Sequence, residues 1–386
     1  MEKKKVAVVL VTEPESGGGY QYALTIAECL KELSDTHYEL LAIVTNSIWK
    51  RWCRNNGIRY ITPDLPKSTI EQMKKNLRFP VYSRLYNTYL TEFGKVLRKE
   101  KIDVLFFTEQ SMYIPNLKTK IITPVHDLMH RYEPEFPEVK CDYQRRELLF
   151  KCQAKYADFI LTDSKLGKKQ FAESYLRTNK KKPHIVSLPF IVPDHIGKVK
   201  EEYIKVPDKY LFYPAQFWKH KNHMNLVKAI NILKHSIEDV HLVLVGSEKN
   251  CCDEIKRYIS GNGLEDNITI YGFVSNGNIT YLYKHAVGMI MPSYFGPTNI
   301  PPLEAMALGC PAAVSNKYAM PEQVGKAGLL FDPDSPEEIA ECIRKLWSDN
   351  ELREEMIEEG YQRIYTWTKP KFKKRIFKVI ERCLVQ

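Results

Sequence analysis

Apolar residues arrive along this chain in short, nearly unbroken bursts. In the first half the bursts are residues 5–12, 40–45, 102–107, 120–125, 158–163 and 184–188. In the second half they are residues 210–214, 241–246, 268–272, 287–291, 312–314 and 328–331. Their length and β-branched content predict buried strands. Between them lie stretches of helical periodicity, such as residues 20–34, 145–156, 165–175, 222–233, 336–347 and 351–365. This alternation predicts an α/β fold made of two doubly wound parallel sheets with helices on both faces. Pro189 and Pro193 punctuate the join between the halves. The expected domains are 1–195 and 196–366, with a final helix over 367–386.

Two segments combine an apolar stripe with basic residues. In 67–101, Tyr82, Leu85, Tyr86, Tyr89, Phe93, Val96 and Leu97 recur at helical spacing, and Lys74, Lys75, Arg78 and Arg84 surround its start. The stripe is assigned to the core, and its basic start could face lipid or an acceptor. In the final helix, Phe372, Ile376, Val379, Ile380 and Cys383 form a stripe edged by Lys373, Lys374, Arg375 and Lys378. It is expected to pack against protein, with a membrane surface as the alternative.

A length of 386 residues suits two domains, and 44% hydrophobic residues suffices for a core in each. No apolar run reaches membrane-spanning length. The short run after Met1–Lys5 lacks a cleavage site, so no signal peptide is expected. Nine cysteines without a CxxC pair fit free thiols in a reducing cytoplasm. The net charge of +10 comes without any nucleic-acid module signature. The expected partner of that charge is anionic lipid at the inner membrane face or a lipid-linked acceptor, not nucleic acid.

Candidate chemistry concentrates in residues 292–311, PSYFGPTNIPPLEAMALGCP. A Gly/Pro loop here follows a strand and opens a helix, with Glu304 in the first turn. In a doubly wound sheet such a loop lies at the carboxyl edge of the strands, where ligands bind. A helix start suits a phosphate, and Glu304 suits backbone N–H groups or ribose hydroxyls. A Pro-stiffened turn with a Glu favoured at a helix start is the plainer alternative. Gly17-Gly18-Gly19 places a second Gly-rich turn between the first strand and its helix, without the dinucleotide spacing.

The run Pro301-Pro302-Leu303-Glu304-Ala305-Met306-Ala307-Leu308-Gly309-Cys310-Pro311 resembles the donor-binding segment of retaining nucleotide-sugar glycosyltransferases of the GT-B architecture, family 4 type. The first Glu of that family's pair falls on Gly296 here, followed by Pro297, Thr298, Asn299 and Ile300. The family's Arg and Lys on the donor diphosphate fall on Gln216 and Lys221. The resemblance implies two Rossmann-like domains facing a cleft. It implies transfer of a sugar from a nucleoside diphosphate to a glycan or lipid-linked hydroxyl, with retained configuration. It further implies that His126 reaches the sugar, that the N–H groups of Thr298, Asn299 and Ile300 hold it, and that Glu304 binds the ribose. Gly18 and Gly19 would line the cleft, and Gly272 and Phe273 would lie near the base. No metal or other cofactor is implied: His220-x-x-His223 lacks further ligands, and Asp332-Pro333-Asp334 reads as a turn. Asp127 would orient His126 or cap a helix. Because Gln216 and Gly296 replace two charged residues, a non-catalytic sugar-nucleotide binder is an alternative, as is a nucleotide-sugar epimerase or phosphorylase on the same architecture.

Overall fold

The computed structural model describes residues 3–35, 38–66, 69–110, 114–177, 182–296 and 298–385. The chain divides into two compact units. Met1–Pro134, Val139–Pro189 and Lys369–Gln386 form the first, and Glu135–Glu138 with Phe190–Thr368 form the second. The continuous part of the second unit therefore begins at Phe190, not at residue 196. The reason is packing, since Val192 and Ile196 already lie against its hydrophobic core.

The first unit holds seven strands: β1 (Lys4–Leu10), β2 (Tyr38–Val44), β3 (Tyr60–Ile61), β4 (Val104–Phe107), β5 (Lys120–Val125), β6 (Phe159–Thr162) and β7 (His184–Ser187). They pair in the order β3-β2-β1-β4-β5-β6-β7, each pair parallel. The second unit holds β8 (Leu211–Pro214), β9 (Leu242–Val245), β10 (Ile268–Tyr271), β11 (Gly288–Met291), β12 (Ala312–Ser315) and β13 (Gly328–Phe331). Their order is β10-β9-β8-β11-β12-β13, again parallel. Helices cover both faces of a parallel sheet, so its strands can be apolar at every position. In β1, Val6 to Leu10 are all buried. The two-residue strand β3 was not legible, because it is too short for a periodic signal.

Each sheet reverses its strand order once, between β1 and β4 in the first unit and between β8 and β11 in the second. In open α/β sheets, ligands bind outside the carboxyl ends of the strands at such a switch point.

The final helix, Lys369–Val385, belongs to the first unit. Phe372, Ile376, Val379, Ile380 and Cys383 are all buried there. Lys373 pairs with Glu32, and the Arg382 guanidinium lies 5.5 Å from the Phe159 ring centre. The earlier basic segment behaves differently. It breaks into Ile70–Arg78, Pro80–Leu85, a π turn over Tyr86–Leu90, and Glu92–Lys99. Met73, Phe93 and Leu97 are buried, but Tyr82, Leu85 and Tyr86 are exposed. The expectation that the whole stripe lies in the core is thus corrected for its first half. Pro80 and the Thr91 cap, whose hydroxyl accepts from Gly94 N at 3.0 Å, break the helix and turn its face.

Candidate functional site

In the second unit the loop after β8 leads into a helical turn, Lys219–Lys221, and then into the helix His223–Leu233. Asn222 joins them in the left-handed region at φ 56°. Asparagine is among the few residues with a side chain that tolerate this conformation. Its side-chain amide donates to Pro292 O at 3.1 Å and to Pro333 O at 2.8 Å. The turn is thereby tied to the segments that follow β11 and β13. Tyr213 Oη donates to Lys221 O at 3.0 Å, and Tyr294 N donates to His220 O at 2.8 Å. These bonds hold Lys221 at the β8/β11 switch point.

The loop after β11 supplies the partner. Lys221 Nζ donates to Asn299 Oδ1 at 3.3 Å. Asn299 is buried and held on every side. Its backbone N donates to Gln323 Oε1 at 2.8 Å, and Gln323 Nε2 donates back to Asn299 O. Its amide Nδ2 donates to Gly296 O and reaches Met320 Sδ, both at 3.2 Å. Gly296 stands at φ +120°, and a Cβ there would meet the Asn299 amide atoms at 2.6 and 2.7 Å. A side chain here would be strained by that φ and would have to displace the Asn299 amide, so the family's carboxylate does not fit the loop as it stands. Pro297 lies outside the described residues. Thr298 is buried, and its Oγ1 has no hydrogen-bond partner among the described residues. An orphaned buried hydroxyl is uncommon and marks a place where a ligand could bond. Ile300 precedes the helix Pro301–Ala307.

Glu304, half-buried in that helix, accepts from Tyr283 Oη at 2.9 Å. Burial pushes its carboxyl up to about 7, against the smaller opposing pull of that bond. His220 stacks on Phe295, with ring centres 4.2 Å apart and planes 10° apart. Phe136 meets the same Phe295 edge-on at 5.4 Å. Phe136 and Glu138 come from the four residues of the first half that belong to the second unit. Glu138 Oε1 lies 3.5 Å from His220 Nδ1 and accepts from Asn250 Nδ2 at 3.2 Å. Burial alone would raise the Glu138 carboxyl, but these bonds outweigh it and hold it down to about 2.

Gln216, at the family's Arg position, accepts from Trp218 Nε1 at 2.8 Å. Gly272 and Phe273 follow β10, the edge strand, and Phe273 is 96% exposed. No described contact joins either residue to Lys221 or Asn299. His223 turns away from His220: its Nε2 lies 3.2 Å from Ala215 O, its ring stacks on Phe217, and burial pushes it down to about 3. Asp332 and Asp334 both pair with Lys317. Among the described residues no group of three or more His, Cys, Asp or Glu is placed to hold a metal ion.

The first unit has its own constellation at the carboxyl ends of β5 and β6. His126 Nδ1 lies 3.1 Å from both oxygens of Asp163. Tyr22 meets the imidazole edge-on at 4.6 Å. Gln110 Oε1 accepts from His126 N at 2.5 Å and from Asp127 N at 3.2 Å. Burial lowers the imidazole pKa, but the carboxylates of Asp163, Asp127 and Glu109 more than offset it, and the net shift is upward. Asp163, not Asp127, orients the ring. Asp127 accepts from Met129 N at 3.0 Å and pairs with Arg146. The signal for Asp163 lies in the register: Val125 pairs with Thr162, so the residues after them emerge side by side. Gly18 and Gly19 form the first turn of the helix Gly18–Leu30, which starts two residues before the expected Tyr20. The turn itself is made by Gly17 at φ 57°. Gln323, Glu138 and Phe136 had no sequence signal, because each acts across a long separation from a position of ordinary composition.

Residues 198–363 match the family described as glycosyl transferases group 1. The chain is similar to the O-antigen chain mannosyltransferase RfbU of Salmonella typhimurium, 24% identical over 86% of this chain and 88% of that one. It is also similar to the O-antigen chain mannosyltransferase B of Escherichia coli, 25% identical over 63% of this chain and 65% of that relative. Among solved structures, a sucrose-phosphate synthase from Thermosynechococcus elongatus superposes with a TM-score of 0.72 at 16% identity, over 99% of this chain and all of that one. At that identity the likeness concerns the fold, two Rossmann-like units of GT-B type.

Proposed function

We propose that this chain, a group 1 glycosyltransferase, moves a sugar from a nucleoside diphosphate to a hydroxyl of a glycan or lipid-linked acceptor, with retention of configuration, in surface polysaccharide assembly. The observation that carries the reading is Lys221, held at the β8/β11 switch point against Asn299, the residue after Thr298, whose buried hydroxyl has no partner among the described residues. A diphosphate leaving group needs compensation as the glycosidic bond breaks. A pre-positioned ammonium and backbone N–H groups supply it at no reorganisation cost. In this reading Lys221 holds the diphosphate, and the N–H groups of Thr298 and Ile300 hold the sugar, that of Asn299 being taken by Gln323 Oε1. Glu304 binds the ribose, its Oε2 accepting from Tyr283 Oη. In the first unit, His126 is assigned to the transferred sugar, its ring set by Asp163. The leaving phosphate oxygen takes the acceptor proton, so no dedicated base and no metal is invoked. The relatives named for mannosyl transfer make a nucleoside diphosphate mannose the first donor to try.

The test is a thermal-shift panel of UDP-, GDP-, dTDP- and ADP-sugars in EDTA, on the native chain and on Lys221→Ala. At a hundredfold excess over Kd, a ligand that binds only the folded state adds about 2.7 kcal/mol of stability. One nucleotide should raise Tm in the native chain and fail to do so in Lys221→Ala. With that donor and an accepting glycan, NMR of the product should show the donor's anomeric configuration. Binding without transfer to any acceptor would favour the non-catalytic alternative, which Gln216 and Gly296 motivate.

A further inference from the structure

The segment from Phe79 to Leu90 in the first unit is built inside out. Its buried side chains are polar: Ser83, Asn87 and Thr88. Its exposed side chains are large and apolar: Phe79 at 51%, Val81 at 74%, Tyr82 at 66%, Leu85 at 50%, Tyr86 at 45% and Leu90 at 62%. A helix on an ordinary soluble surface shows the reverse pattern. Most of the inward face is bonded, Thr88 Oγ1 and Asn76 Nδ2 being without a hydrogen-bond partner among the described residues. Asn87 Nδ2 donates to Asn76 Oδ1 at 3.1 Å, and Asn116 Nδ2 donates to Pro80 O at 2.6 Å and Ser83 Oγ at 3.1 Å. Tyr156 Oη donates to Asn76 O at 2.6 Å. Turning the apolar face inward would break this network and leave those groups unsatisfied in the interior. The polarity is thus held by the structure itself, and what covers the outward face must come from outside the unit.

Charge identifies the cover. Lys74, Lys75, Arg78 and Arg84 are exposed around the patch, and Glu71 is the one carboxylate in the sequence between Ile70 and Leu90. The Arg78 guanidinium lies 5.2 Å from the Phe79 ring centre. At the segment's end, Tyr89 accepts from Lys118 Nζ at 2.8 Å and lies under Arg98 at 4.5 Å. Aromatic and aliphatic side chains ringed by cations match the boundary of an anionic bilayer, where rings sit at headgroup depth and cations meet lipid phosphates. A second copy of the chain fits less well, because a two-fold contact would set four cations against the same four. Among the described residues no helix is long and apolar enough to cross a membrane, so this contact would lie in the interface plane.

We propose that Phe79–Leu90, with Lys74, Lys75, Arg78 and Arg84 beside it, is the surface by which the first unit lies on an anionic lipid bilayer. The proposal rests on the first unit alone and uses no residue of the donor-site reading. Flotation of the full chain with vesicles tests it. Phosphatidylethanolamine vesicles containing phosphatidylglycerol are compared with vesicles of phosphatidylcholine alone. The native chain should float with the anionic vesicles and far less with the neutral ones. Tyr82→Ser with Leu85→Ser, and separately Arg78→Ser with Arg84→Ser, should each weaken binding by about tenfold or more. Only the apolar pair should leave the salt dependence intact. Both pairs are exposed, so Tm and the nucleotide-sugar thermal shift should not move. Should the apolar pair lower Tm, Val81→Ser, at the most exposed position, replaces it. A native chain that ignores anionic vesicles, or variants that bind like the native chain, would overturn the proposal. So would size-exclusion chromatography showing a native dimer that the variants dissolve, with no vesicle binding.

Discussion

At the carboxyl ends of β4, β5 and β6 the chain gathers ionisable groups; between β8 and β11 it gathers amides around one lysine. The first region sets His126 against Asp163, with Glu109 and Asp127 close enough to shift it. The second sets Lys221 against Asn299, itself gripped by Gln323 and Met320. Both sheets have the same strand order around their switch points. The topology therefore supplies a place at which loops converge, and the loops alone decide which ligand chemistry the place suits. Carboxylates around an imidazole suit a polyhydroxyl group and a retained positive charge. An ammonium held against a neutral amide suits an anion.

Replacing Asp163 should break the comparison most sharply. Asp163→Asn should lower transfer about tenfold to a hundredfold through a misoriented His126, while the nucleotide-sugar thermal shift stays. Lys221→Ala should do the opposite and abolish that shift. If both variants lose nucleotide binding equally, the two regions do not divide the work in this way. The same variant has a pH signature. The folded imidazole titrates above its ordinary value, so folding takes up a proton. The stabilisation is complete below the unfolded pKa of about 6.5. It is lost as pH rises through the higher folded value. The native Tm should fall across that window, and Asp163→Asn should flatten or reverse the slope. A native profile already flat there would remove the ion pair from the account.

Gly296→Ala probes the second region at smaller cost. A side chain at φ +120° against the Asn299 amide should cost roughly 1–3 kcal/mol, read by urea or thermal unfolding. It should also weaken donor binding by displacing Asn299 from Lys221. Gly296→Glu, the family's residue, should do no better, and a gain in activity would show that the loop can open to admit it. The smallest effect is expected at Gln216. Gln216→Ala removes the bond to Trp218 and should cost roughly 0.5–1.5 kcal/mol. Donor affinity should hold, and a fall beyond about tenfold would give Gln216 a direct part in donor binding.

The two basic amphipathic segments show where reading from sequence stops. Each has an apolar stripe with lysines and arginines around it, and each was assigned to packed protein. In Lys369–Val385 the stripe is buried, with Lys373 paired to Glu32. In Phe79–Leu90 it is exposed, because Asn76, Ser83, Asn87 and Asn116 bond to one another on the inner face. Hydrophobic periodicity reports that a helix has two faces. It does not report which face meets the protein, since that depends on partners up to several tens of residues away.

What the sequence determined by itself follows from local physics. Short β-branched runs make strands, longer periodic stretches make helices, and their alternation makes parallel sheets. The same logic located the segments after the strands that hold His126 and Lys221 and that lead into the helix carrying Glu304, because the carboxyl end of a strand is visible as the end of an apolar run. The tertiary structure decided who meets whom. Asp163 reaches His126 only because β5 and β6 are neighbours in register, and Gln323 reaches Asn299 only because the helix Met320–Val324 packs under the loop. Such pairings depend on chain closure over tens of residues, and the composition at either end carries no trace of the other.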